Sequence, residues 1–385
     1  MELNRKKLII GITADASVEL IHGQLKYFVS QGYDVYLMAP GTDRTRAFIE
    51  KEGAKLLPIE IERTISPLKD LKSLFQIKKI LKEVKPDIVN FGTPKVSLLG
   101  MIAAKMTGVP FRIYTCRGFR FEHEKGMKRK FLISLEKVTA KCAHKIICIS
   151  NSVKDLGIKE GIFTAKKTLT IGRGSSNGIN LDIFYPRQNE QAKLAGMRET
   201  YKLGDNFVFG FVGRIVDRKG IKELYEAFDK YHSENKNTRL LVVGAPYWDQ
   251  IADKTLIDKF NAHPGIVMAG LQPHNEVPYF LSLMDTFILP AWWEGFGNVL
   301  IQAAATGIPI ITTDSTGCKD AVSNGFNGKF VPPHEIGALV DMMRYFHTHP
   351  EEIKVFGENG LKWAQNFRSE TIWKGMQDIY EHTAK

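Results

Sequence analysis

The sequence predicts an α/β chain of two facing Rossmann-like domains, each built on a parallel sheet, with a cleft between them. Three observations carry that expectation. Short apolar runs alternate with segments of helical spacing from residue 7 onward, the pattern of strands joined by crossover helices. The pattern gives way to a polar stretch at residues 184–200 and restarts at Phe207. The length, 385 residues, suits two or three domains. The expected division is an N-terminal Rossmann-like domain over residues 1–185 and a ligand-binding domain over 186–365. A last segment, 366–385, is expected to be a helix crossing back to the first domain.

In the first half, strands are expected at residues 7–11, 33–39, 55–61, 86–91, 111–116 and 145–150. Helices are expected at 19–31, 43–52, 68–84, 96–107 and 127–143, with Gly32 and Gly53 as stops for the first two. Leu71, Leu74, Phe75, Ile77 and Leu81 are expected to share one helix face. Met127, Phe131, Leu135, Val138 and Cys142 form another stripe, and Lys130, Lys137 and Lys141 fall on a different face of that helix. In the second half, strands are expected at 207–213, 240–244, 265–269, 286–290 and 308–313. Helices are expected at 220–234, 248–262, 277–283 and 298–306, then closing helices at 336–348, 350–360 and 361–382.

Composition narrows the function. A 44% hydrophobic fraction builds a core without disulfides or metal. Cys116, Cys142, Cys148 and Cys318 form no C-x-x-C pair, which suits a reduced compartment. The apolar run at 8–12 is too short for a signal peptide and reads as a first strand. The uncharged run at 295–313 is interrupted by Asn298, Gln302, Gly307 and Pro309, so it reads as helix–turn–strand rather than a membrane span. The net charge of +11 calls for an anionic partner. Eleven Lys/Arg against three Glu lie between Lys105 and Lys145, and this motivates an anionic membrane surface as that partner.

The chemistry concentrates in two loops. After the strand at 286–290 comes Glu294-Gly-Phe-Gly297, then a short apolar helix. Gly295 and Gly297 let backbone approach a ligand, and the helix N-terminus behind them suits a phosphate. After the strand at 207–213 comes Gly213-Arg-Ile-Val-Asp-Arg-Lys-Gly220. There Arg214 and Lys219 can neutralise a diphosphate at the carboxyl edge of the same sheet.

Together with Gly317-Cys-Lys-Asp320, Asn324-Gly-x2-Gly-x2-Val-Pro-Pro333 and Asn177-Gly-Ile-Asn-Leu-Asp-Ile-Phe184, these loops resemble glycosyltransferase family 4. That family comprises retaining, nucleotide-sugar-dependent enzymes of the GT-B fold. Pro94-Lys-x2-Leu-Leu-Gly100 resembles its bacterial polysaccharide-assembly members. The resemblance implies that Gly213, Arg214 and Lys219 meet the donor diphosphate, helped by backbone N–H groups of Gly295, Phe296, Gly297, Asn298 and Val299. Glu294 is implied to hold donor-sugar hydroxyls. Gln302 stands where the family has a second acid and is expected beside the ribose; Gly270 and Leu271 are expected to border the base. On the acceptor side the family's glycine loop and histidines are replaced by residues 13–17, Asn90 and Arg117. Arg117 is expected to bind an acceptor phosphate or to help the diphosphate leave, and Asp15 to orient a hydroxyl.

The expected function is transfer of a hexose or N-acetylhexosamine from a nucleotide sugar, a UDP-sugar first, to a polyprenyl-diphosphate-linked or other glycan acceptor in capsule-type polysaccharide synthesis. No cofactor and no metal are expected, and no nucleic-acid partner. The expected location is cytoplasmic, peripheral on the inner face of the membrane. Two rivals differ in class. An epimerase of the same fold, resembling UDP-N-acetylglucosamine 2-epimerase, would need a catalytic acid pair. A non-catalytic basic nucleic-acid-binding protein would need aromatics interleaved with the charge.

Overall fold

The computed structural model describes residues 5–62, 64, 66–187 and 189–382. It divides into two compact units: residues 1–178 with 369–385, and residues 179–368. The change of unit thus falls at 178/179 and 368/369 rather than at 185/186 and 365/366.

The N-terminal unit alternates β1 (Lys7–Gly11), α1 (Gln24–Ser30), β2 (Asp34–Ala39), α2 (Asp43–Glu52), β3 (Lys55–Pro58), α3 (Pro67–Val84), β4 (Ile88–Phe91), α4 (Pro94–Met106), β5 (Phe111–Cys116), α5 (Gly126–Cys142), β6 (Lys145–Cys148), α6 (Asn151–Lys159) and β7 (Thr168–Thr170). Its seven strands are parallel, in the order β3-β2-β1-β4-β5-β6-β7. Alternation along β1 explains the two cores. Ile9 joins the cluster under α3, α4 and α5, whereas Leu8 and Ile10 join the cluster under α1 and α2.

The C-terminal unit holds α7 (Gln191–Thr200), β8 (Phe207–Val212), α8 (Ile221–Glu234), β9 (Thr238–Val243), α9 (Thr255–Ala262), β10 (Ile266–Gly270), α10 (Val277–Ser282), β11 (Thr286–Leu289), α11 (Asn298–Ala305), β12 (Ile310–Thr313), α12 (Cys318–Ala321), β13 (Gly328–Val331), α13 (Ile336–Thr348) and α14 (Pro350–Ala364). Its six parallel strands run β10-β9-β8-β11-β12-β13. A final helix, α15 (Ser369–His382), belongs to the N-terminal unit, where Ile372, Met376 and Tyr380 are buried with β1 and β2 side chains.

Several elements depart from the sequence reading. The helix expected at 19–31 is a 3-10 turn, Asp15–Leu20, followed by α1. Gly23 separates them with φ +77° and lies under Trp373, which a Cβ would meet at 2.9 Å. The polar stretch at 184–200 contains α7, which buries no residue and so carries no apolar period to read. The expected α3 face splits: Ile77 and Leu81 are buried, while Leu71 and Phe75 are 50% and 56% exposed. All four cysteines are buried and free.

Candidate active site

Loops leaving the carboxyl ends of β8, β11 and β12 converge in the C-terminal unit. Two close backbone approaches hold them together. A Cβ on Gly220 (φ +69°) would lie 2.0 Å from Pro290 O, and one on Gly317 (φ +76°) would lie 2.3 Å from Glu294 O, so only glycine fits at either place. Backbone hydrogen bonds add two ties: Trp292 N–H donates to Arg218 O at 2.8 Å, and Glu294 N–H to Thr316 O at 2.9 Å.

These ties fix Glu294. Its side chain is 13% exposed, with Lys219 Nζ 2.7 Å from Oε1 and Arg218 Nη1 3.1 Å from Oε2. The Lys219 ammonium approaches off hydrogen-bond alignment, so that contact is a Coulombic pair. Burial works to raise the Glu294 pKa, but the charges of Lys219 and then Arg218 outweigh it and hold it at about 2. At neutral pH the group is an ionised acceptor and cannot donate a proton.

Lys219 is itself buried and passes over Gly213, whose Cβ position lies 3.3 Å from Nζ. Arg218 is steered by Trp293: its Cζ stands 4.9 Å from the ring centroid, and Nη1 donates to Trp293 O at 3.3 Å. Arg214 is exposed, with its guanidinium 5.2 Å from the Tyr247 ring centroid. Beyond Glu294, no side chain caps the start of α11 at Gly297. Phe296 is buried against Phe367, 5.5 Å between ring centroids. Val299 and Gln302 are half-buried on α11. Gly270 ends β10 with φ +69°, and Leu271 beyond it is 79% exposed.

On the N-terminal sheet, Asp15 opens the 3-10 turn and accepts a hydrogen bond from its neighbour Ala16 N at 2.7 Å. Asn90 is buried with both ends of its amide engaged: Oδ1 accepts from Thr115 Oγ1 at 2.7 Å, and Nδ2 donates to Tyr380 Oη at 2.8 Å. Arg117 follows β5 and stands against Gly92.

Sequence reasoning singled out Arg214 and Lys219 and passed over Arg218; its only signal was adjacency to Lys219. It also passed over a second buried carboxylate, Glu223. Oε1 of Glu223 accepts from Trp292 Nε1 at 2.8 Å and meets His334 Nδ1 at 2.7 Å, which anchors the loop that carries Glu294. Among the described residues no cluster of three or more His, Cys, Asp or Glu is placed to hold a metal ion.

Comparison with known proteins shows the family and the fold. The family model for "Glycosyl transferases group 1" matches residues 196–363, and that for "Glycosyl transferase 4-like" matches residues 12–150. The chain is 34% identical to the capsular polysaccharide biosynthesis glycosyltransferase CapM of Staphylococcus aureus, over 98% of this chain and 97% of that one. It is 32% identical to a UDP-Gal:alpha-D-GlcNAc-diphosphoundecaprenol alpha-1,3-galactosyltransferase of Escherichia coli, over 82% and 80% of the two chains. The crystal structure of Anabaena Alr3699/HepE with UDP and glucose superposes with a TM-score of 0.81 at 16% identity, covering 97% of this chain and 99% of that one, and shares the GT-B fold. The Staphylococcus aureus and Escherichia coli relatives are named as transferases, which tells against the epimerase alternative. The chain belongs to the group 1 glycosyl transferases and is a glycosyltransferase of the GT-B fold.

Proposed function

We propose that the chain transfers a hexose or N-acetylhexosamine, with retention, from a UDP-sugar to a polyprenyl-diphosphate-linked glycan acceptor in surface polysaccharide synthesis. The observation that carries this reading is Glu294, held ionised between Lys219 and Arg218 beside the glycine loop that opens α11. Glu294 accepts hydrogen bonds from donor-sugar hydroxyls. Lys219, with Arg214 and Arg218, offsets charge on the departing diphosphate. Gly213 and the backbone of residues 295–299 line the same phosphates, Gln302 meets the ribose, and Gly270 and Leu271 border the base. Asp15, Asn90 and Arg117 mark the acceptor side. The acceptor hydroxyl attacks the anomeric carbon from the face the nucleotide leaves. The new C–O bond forms as the bond to phosphate breaks, and a phosphate oxygen takes the proton. Because protein cations balance the diphosphate, transfer is expected to persist in EDTA. A UDP-sugar should raise the melting temperature of the wild type and not of Glu294→Ala. Equal shifts in both would remove Glu294 from the donor site.

Surface chemistry supports the location. No helix among the described residues is long and apolar enough to cross a membrane. Helices α3, α4 and α5 cover one face of the N-terminal sheet and carry net charges of +3, +2 and +4, against +11 for the chain. On α5, exposed Met127, Phe131 and Val138 form a stripe beside Lys130, Lys137 and Lys141. On α3, exposed Leu68, Leu71 and Phe75 are flanked by Lys72 and Lys79. Apolar side chains bordered by lysines suit the interface of an anionic bilayer, here the inner face of the cytoplasmic membrane. Each near-surface lysine contributes about 1 kcal/mol to such binding. Replacing Lys130, Lys137 and Lys141 by Gln should therefore weaken sedimentation with anionic vesicles about 100-fold. Failure of the wild type to sediment at low salt would refute this location.

A further inference from the structure

Most cations at the sheet edges described above have an acid or an aromatic ring against them; Arg117 has no hydrogen-bond partner and no paired carboxylate among the described residues. Its guanidinium lies on Gly92, where a Cβ would come 2.8 Å from Nε and 3.3 Å from Nη2. Gly92 has no left-handed φ, so the glycine is required for room, not for backbone conformation. Both Nε and Nη1 are buried without a hydrogen bond, although part of the side chain still reaches solvent. Burial lowers the Arg117 pKa to about 10, which still leaves the group charged at neutral pH. A half-buried, unpaired cation with two buried, unsatisfied donors is unfavourable unless a ligand completes it.

The surroundings supply another donor. Asn90, Thr115 and Arg117 alternate onto the sheet face that α15 covers. Thr115 donates to Asn90, and Asn90 donates to Tyr380 Oη, which leaves the buried Tyr380 hydroxyl its own O–H to give. Tyr380 lies within electrostatic reach of Arg117.

We propose that Arg117, supported by Asn90 and Tyr380, forms an oxyanion site for a phosphate group of a substrate. This rests on the reading that donor and acceptor are both diphosphates, and either one can supply the oxyanion. The test measures KM for each substrate separately in wild type, Arg117→Gln, Arg117→Lys and Gly92→Ala, alongside the melting temperature and the melting shift caused by UDP. If the acceptor supplies the phosphate, Arg117→Gln raises the acceptor KM about tenfold or more, Lys restores part of it, and the donor KM stays level. If the donor supplies it, the donor KM rises instead. Gly92→Ala, which displaces the guanidinium and keeps its charge, should reproduce whichever change is seen. The free Arg117→Gln protein should melt no lower than wild type, because an uncompensated charge has been removed; a purely structural arginine would lower it. Unchanged KM for both substrates in a folded Arg117→Gln variant overturns the site. Absence of any UDP shift in the wild type would count against the donor reading instead, so the two failures are distinguishable.

Discussion

At the carboxyl edge of the C-terminal sheet, Glu294 sits between Lys219 and Arg218; at the same edge of the N-terminal sheet, Arg117 sits against Gly92, within electrostatic reach of Tyr380, with no ion-paired carboxylate among the described residues. Both groups are at least half-buried charges, yet one is balanced within the protein and the other is not. The balanced cluster keeps its geometry in the free protein, so it is ready to meet a polar ligand that exchanges partners with it. The unbalanced one gains most when an anion arrives. An enzyme that joins two charged substrates can use both arrangements.

The comparison breaks most visibly through Glu294→Ala. Lys219 and Arg218 would be left buried and unpaired, which costs about 3–5 kcal/mol of stability. Turnover should fall on the order of 100- to 1000-fold, as when a group aimed at the transition state is removed. Denaturant midpoints and initial rates measure the two losses. Arg117→Gln should act in the opposite sense on stability, raising it by on the order of 1 kcal/mol, because that charge has no partner to lose.

Acid titration sharpens the same contrast. The Glu294 pKa is depressed from 4.5 to about 2 in the folded state. Its stabilisation, about 3 kcal/mol, is therefore complete above the unfolded value and is lost as pH falls from about 4.5 towards about 2. The group is 13% exposed, so solvent screening removes little of this. Glu294→Gln should lack that segment of the acid-denaturation curve.

Smaller effects separate the two arginines of one loop. Arg218→Ala should lower turnover about tenfold, having lost a charge-assisted contact to Glu294. Arg214→Ala, at an exposed side chain, should lower it less. If Arg214 proves the more sensitive, the donor phosphates lie towards the Tyr247 side of the loop. Smallest is Gln302→Glu. A half-buried amide changed to an acid should alter the donor KM by about threefold or less, since either group accepts from a ribose hydroxyl.

Much of this was legible in the sequence. Alternating strands and helices, and glycines at the ends of both, wrote out the parallel sheets. Glu294, Lys219 and the glycine loop stood out because their residue types and positions after strands state their chemistry. What stayed hidden depended on contacts far along the chain. Tyr380 reaches Asn90 across 290 residues, and His334 reaches Glu223 across 111, so no local pattern marks either pair. Helix α7 stayed hidden for a different reason. It buries nothing, and a helix without a buried face leaves no apolar period. The faces of α3 misled because Leu71 and Phe75 look like core residues, whereas Ser73, Ile77 and Leu81 pack inward.

The most direct test of the central claim is nucleotide release by the purified protein from a UDP-sugar, with and without a polyprenyl-diphosphate-linked sugar, with product linkage read by NMR. The account predicts UDP release that requires the acceptor, an anomeric configuration kept from donor to product, and loss of both signals in Glu294→Ala. Release without acceptor, an inverted product, or full turnover in Glu294→Ala would contradict it.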